Sequence, residues 1–186
     1  MKKANLLVAA LLVMSFAGGC GNTNQNTDTT QQTQQTQVVQ TAYDKFEKVP
    51  MRATYDQVKQ ILGVDGQPVA SNTIGNVTTE SFNFFVGSDR IYMTFQNGKL
   101  STKQVFTVKP CDKKITLDQF NKIQMGMTYD QVKQILGCDG VVWMQTQYSY
   151  GYASKSMVWL NNNGEDARIG FDNNGVVKSK VQRGLH

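Results

Sequence analysis

The sequence predicts an α+β fold built from two tandem repeats. Each repeat is expected to be a short helix pair packed on one face of an antiparallel sheet of about four strands. Two observations carry this. Met51-Arg-Ala-Thr-Tyr-Asp-Gln-Val-Lys-Gln-Ile-Leu-Gly63-Val-Asp-Gly66 recurs as Met125-Gly-Met-Thr-Tyr-Asp-Gln-Val-Lys-Gln-Ile-Leu-Gly137-Cys-Asp-Gly140, with 13 of 16 positions identical at an offset of 74. The same offset pairs Asp44 with Asp118, Phe46 with Phe120 and Lys48 with Lys122, so the duplicated unit begins before the motif. After each copy come alternating aromatic and β-branched segments punctuated by Asn97-Gly98, Asn163-Gly164 and Asn174-Gly175, which are hairpin signals.

The chain begins with Met1-Lys2-Lys3, an eleven-residue apolar run Leu6–Phe16 interrupted only by Ser15, and the small residues Ala17-Gly18-Gly19 before Cys20. This is the order of a secretory signal. The run is too short for a bilayer, whose core takes roughly 20 apolar residues. Residues 1–19 are therefore expected to be a signal peptide. The small residues against Cys20 resemble the lipobox of bacterial lipoproteins, with Ala17 where that motif usually has Leu. The resemblance implies a diacylglyceryl Cys20 and an extracytoplasmic, lipid-anchored protein of the cell membrane, since two acyl chains suffice for stable anchoring. Residues 20–41, almost entirely Asn, Thr and Gln, have too little apolar surface to order and read as a tether.

The repeats follow at 42–110 and 111–186. Thr41 and Thr116 are placed to cap a first helix, with stripes Tyr43, Phe46, Val49 and Leu117, Phe120, Ile123. Thr54 and Thr128 open a second helix through the capping box Thr-x-x-Gln. Gly63 and Gly137 end it as C′ residues. Helices of about eight residues do not stand alone and must lie on the strands, read as 77–86, 90–96 and 100–109 in the first repeat and 141–147, 155–160, 167–172 and 176–183 in the second.

Period two places Phe82, Phe84, Val86, Ile91, Met93 and Phe95, with Ile169 and Phe171, on the helix-covered side. The opposite side is expected to carry Phe85, Tyr92 and Thr94, then Trp143, Arg168 and, depending on register, Trp159. Tyr148, Tyr150 and Tyr152 alternate with small residues and are expected to line one face. Large aromatics and arginine on an uncovered sheet face suit protein binding.

The formal charge of +5 falls to +3 when the signal takes Lys2 and Lys3 with it. With no basic run and an exported location, no nucleic-acid partner is expected. The single histidine is the terminal His186. Without a second one, neither Ser-His nor Cys-His catalysis has a base, and phosphate-loop, HExxH, EF-hand and paired-cysteine zinc spacings are missing from the sequence. The expectation is a non-enzyme with no cofactor and no metal. Cys111 and Cys138 form an even pair in an oxidising compartment and are disulfide candidates.

Thr116-Leu-Asp-Gln-Phe120-Asn-Lys-Ile-Gln-Met-Gly126-Met-Thr-Tyr-Asp-Gln131-Val, running on to Gly137, resembles the second domain of the β-lactamase inhibitory protein family, and the likeness extends over both repeats. It implies two helix-loop-helix units, each followed by a four-stranded sheet, with the sheets joined into a concave gripping surface. In that family an acidic residue on a first-domain hairpin and an aromatic on a second-domain loop enter the target. Asp89 is similar in kind to the first, one position off, and Tyr92 fits an aromatic of the concave face. The segment Asn161-Asn-Asn-Gly-Glu-Asp166 offers no aromatic. The Gly-Met-Thr-x-x-Gln-Val motif is also similar to single-unit envelope lipoproteins that assist barrel assembly. The function expected is a tethered, non-catalytic module binding an unidentified envelope or secreted protein. Inhibition of a β-lactamase or related cell-wall enzyme, and envelope assembly, are the alternatives.

Overall fold

A computed structural model describes residues 41–186. The expected signal peptide, Cys20 and all of the expected tether except Thr41 lie outside the described residues. Among the described residues no helix is long and apolar enough to cross a membrane.

The first repeat comprises α1 (Ala42–Lys48), α2 (Tyr55–Leu62), β1 (Gly66–Ile74), β2 (Val77–Val86), β3 (Asp89–Gln96) and β4 (Lys99–Val105). The second comprises α3 (Leu117–Lys122), α4 (Tyr129–Leu136), β5 (Val141–Gln147), β6 (Ala153–Leu160), β7 (Asp166–Phe171) and β8 (Val177–Arg183). The strands form one antiparallel meander in the order β1 to β8. β4 and β5 join the repeats through Thr102–Gln104 paired with Met144–Thr146.

All four helices start on a threonine whose side chain accepts from the N3 amide while the N3 side chain reaches back to the cap amide. This reciprocal bond satisfies two otherwise orphaned donors. α2 and α4 end at Gly63 (φ 75°) and Gly137 (φ 80°), where a left-handed residue closes the last turn. Each helix-helix loop is latched to the last strand of its repeat. Arg52 N–H donates to Leu100 O and Leu100 N–H to Ala53 O; likewise Gly126 N–H donates to Val177 O and Val177 N–H to Met127 O.

The helices cover one sheet face. Phe46, Val49, Val58 and Leu62 meet Phe84, Ile91, Met93 and Phe95 in the first core; Phe120, Ile123, Val132 and Leu136 meet Trp159, Ile169 and Phe171 in the second. Each repeat also sets a lysine under its first helix, Lys103 buried and Lys180 half-buried. Lys103 Nζ donates to Phe46 O (2.9 Å) and Val49 O (2.6 Å), and Lys180 Nζ to Phe120 O (3.2 Å) and Ile123 O (2.7 Å). Both ammonium groups lie 4.7 Å from the ring centroid of the phenylalanine of the helix they cap, so the carbonyls at each first helix's C-terminus are satisfied by a cation of favourable sign.

Cys111 and Cys138 are joined in a disulfide, Cα–Cα 6.3 Å, that ties the entry to the second repeat to the end of α4. Closing a loop with sequence separation 27 is worth about 3.5 kcal/mol in the chain-entropy account. The Cys111→Ser/Cys138→Ser protein should lose about that much stability in urea and become insensitive to added reductant.

Candidate functional site

Strand register identifies the face that no described helix covers. One cross-strand rank consists of small hydroxyl residues: Ser81 opposite Thr94, Thr94 opposite Thr102, Thr102 opposite Thr146, and Thr146 opposite Ser154. Their hydroxyls bond across strands at 3.1 Å (Ser81–Thr94) and 3.3 Å (Thr102–Thr146). The next rank runs Asn83, Tyr92, Gln104, Met144, Ser156 and Gly170. Tyr92 is thus a half-buried ring flanked by two amide side chains.

Beyond it lies a band of aromatics and arginines. Phe85 pairs with Arg90, whose guanidinium sits 3.9 Å from the ring centroid of Phe106. Phe85 and Phe106 remain 41% and 43% exposed. On the second repeat the Arg168 guanidinium lies 4.8 Å from the Trp143 ring centroid. Its Nε and Nη2 donate to Asp166 Oδ1 and Oδ2 at 3.1 and 3.2 Å, and Arg183 approaches the same carboxylate at 2.7 Å. Asp166, only 2% exposed, therefore holds two guanidiniums in place. A bidentate pair of this kind is stiff, and arginine on an aromatic face presents a planar, weakly hydrated cation.

The structure brings Phe85, Tyr92, Trp143 and Arg168 onto this face and moves other expected residues elsewhere. Trp159 is a correction. It pairs with Ala167, is 1% exposed and packs in the second core, its Nε1–H donating to Cys138 O at 3.0 Å. A Cβ on Gly140 would stand 2.5 Å from its ring, which is why glycine is found there. Asp89 opens β3 at the β2–β3 hairpin, pairs with Val86 and by alternation shares the side of Ile91, opposite to Tyr92. Tyr148 and Tyr150 do not lie on a strand, because β5 ends at Gln147. The chain turns at Gly151 (φ 89°), and the rings stack at the hairpin tip: Tyr148 on Tyr150 at 5.3 Å and on Tyr152 at 6.1 Å.

Sequence reasoning missed Arg90, Phe106, Asp166 and Arg183. Phe106 continues the alternation Thr102, Gln104 and was within reach of pattern alone. Asp166 and Arg168 stand two apart on β7, a local spacing, whereas Arg183 reaches the carboxylate only from the neighbouring β8.

Among the described residues no cluster of ligands suits a metal. His186 pairs with Glu165 at 2.9 Å on the exposed terminus, where the Asn161 amide holds the Glu165 carboxyl below its ordinary range. What the uncovered face offers is area, rings and oriented cations.

Comparison with known proteins agrees with this architecture. The sequence profile of the family described as β-lactamase inhibitor (BLIP) matches residues 41–159 and 116–186. Among solved structures, the chain is similar to a candidate β-lactamase inhibitor protein from Streptococcus mutans, with TM-score 0.58 at 18% identity, over 76% of this chain and 94% of that one. No curated protein matches.

Proposed function

The chain belongs to the β-lactamase inhibitor (BLIP) family, and from that premise we propose that it is a non-catalytic protein-binding module working through the helix-free face of its sheet. The observation that carries the proposal is the band Phe85–Arg90–Phe106 and Trp143–Arg168–Asp166–Arg183. Tyr, Trp and Arg dominate interface hot spots because they bury much area at low entropic cost. Here the arginines are already oriented by rings and by a buried carboxylate, so little freedom is lost on docking.

The binding head is carried outside the cytoplasm on a diacylglyceryl Cys20, with the Asn/Gln/Thr-rich stretch as its leash. Support for this lies in the order of the first residues, Lys2-Lys3, the apolar run, then Ala17-Gly18-Gly19-Cys20. The narrower reading is an inhibitor of a β-lactamase or related cell-wall enzyme. It is favoured by the family match and by the tyrosine-tipped hairpin, which gives the second repeat a protruding aromatic.

The purified chain and its Tyr92→Asp/Trp143→Asp variant, matched in thermal unfolding, should be compared by capture from envelope extract. Loss of two hot-spot rings should weaken binding at least about 100-fold, so the partner should be retained only by the unmodified chain. Equal capture by both would refute the face proposal. A panel of β-lactamases assayed with the same two proteins tests the narrower reading.

A further inference from the structure

The two repeats differ on the helix side in one place that leaves room. In the first repeat Tyr55 packs on Phe82 and Phe95 at 4.9 and 6.0 Å, and its hydroxyl accepts from Gly66 N–H. In the second, Tyr129 keeps the counterpart of Phe95, with Phe171 at 6.1 Å. Register puts Met157 where Phe82 stands, opposite Ile169 as Phe82 is opposite Met93. It also puts Lys155 where Glu80 stands, opposite Phe171 as Glu80 is opposite Phe95. The Tyr129 hydroxyl turns instead to Asp139, donating at 2.7 Å. The missing ring leaves a cleft of about 600 Å³, lined by Glu47 of α1, Tyr129, Asp139, Lys155, Met157 and Phe171 among others. That size suits a small organic ligand.

Its charges are not all spent. Asp139 is bound by Tyr129 and by Lys133 at 2.7 Å. Asp172, on the rim, accepts from Asn174 N–H and Val176 N–H and pairs with Lys178 at 3.4 Å. Among the described residues Glu47 accepts only the Tyr43 hydroxyl, on one oxygen. Among the described residues the Lys155 ammonium makes no hydrogen bond or ion pair, its backbone alone being paired, with Gln145 and Phe171. One unengaged cation and one under-engaged carboxylate, contributed by different repeats, thus bracket a wall of Met157, Phe171 and Tyr129.

We propose that this cleft binds a small zwitterion of the apolar amino-acid class. Its carboxylate meets Lys155, its ammonium meets Glu47, and its side chain lies against Met157 and Phe171. The site is separate from the sheet face proposed above and stands without it.

Calorimetric titration of the purified chain with L-phenylalanine, N-acetylphenylalanine and phenylalaninamide tests this, since each analogue lacks one charge. The zwitterion should bind at least about tenfold tighter than either analogue. Lys155→Met should erase its advantage over the amide, and Glu47→Gln its advantage over the N-acetyl compound. Both side chains reach solvent, so the variants should unfold at the temperature of the parent. Lys99→Ser, at the exposed start of β4 and away from the cleft, should leave all three affinities unchanged. No binding of L-phenylalanine up to about 10 mM, equal binding of the three compounds, or affinities indifferent to Lys155→Met would overturn the proposal.

Discussion

Trp159→Ala is expected to lower the unfolding free energy by about 4 kcal/mol, the cost of emptying a fully buried tryptophan site. The ring is the largest fully buried side chain among the described residues. It fills the space above Gly140 and packs beside Tyr129 at 6.2 Å. Truncation also orphans the Cys138 carbonyl that accepts the indole N–H, a loss with its own penalty. The loss is a large part of a stability of roughly 5–15 kcal/mol. Trp159→Phe keeps the ring volume in part and should cost about half as much. In urea the midpoint should fall in that order with little change in slope, because the same surface is exposed on unfolding. A surface tryptophan would give a change within about 0.5 kcal/mol.

The second large effect is expected at Lys103. Its ammonium is buried beneath α1 and satisfies two carbonyls. Lys103→Ala removes that cap and the packed stem together, and should cost about 3 kcal/mol. Lys103→Met keeps the stem and removes a buried charge, so about 1 kcal/mol is expected. The pH profile separates the charge from the packing. Burial pushes the Lys103 ammonium down to about 8 from 10.5. Between those values the unfolded chain holds more protons than the folded one, so stability rises with pH through that window and is flat below it. Glu47 opposes the depression and Lys155 adds to it. Above 10 two tyrosines act in the opposite sense. Burial raises Tyr43 and holds Tyr129 up to about 12, so the unfolded chain ionises them first and stability falls. Thermal unfolding of the parent minus that of Lys103→Met should therefore climb from pH 8 to 10, and a flat difference would place the ammonium in solvent.

Much of the fold was legible because its signals are local. The Thr-x-x-Gln boxes, the glycine stops of α2 and α4 and the alternation of Val77–Val86 each fall within one element, and duplication stated the architecture twice. β1 was missed for a physical reason. It is an edge strand exposed nearly throughout, with Pro68 and a bulge between Pro68 and Ala70, so no core imposes a period on it. The side taken by Trp159 depends on pairing, and the bulge between Val142 and Met144 is not written in the strand's own residues. Lys103 and Lys180 read as solvated positions because their partners are carbonyls more than fifty residues away. The candidate face was half legible. Phe85, Tyr92 and Arg168 followed from period two, whereas the Arg90–Phe106 and Arg168–Trp143 contacts and the approach of Arg183 to Asp166 exist only once strands are paired.

The most direct measurement is site-specific photocrosslinking in intact cells, with p-benzoylphenylalanine replacing Tyr92, Phe106 or, on the helix side, Gln134. If the helix-free face binds a protein partner, positions 92 and 106 form an adduct of the same mass and position 134 forms none. An adduct at position 134 alone, or silence at both face positions, would contradict it.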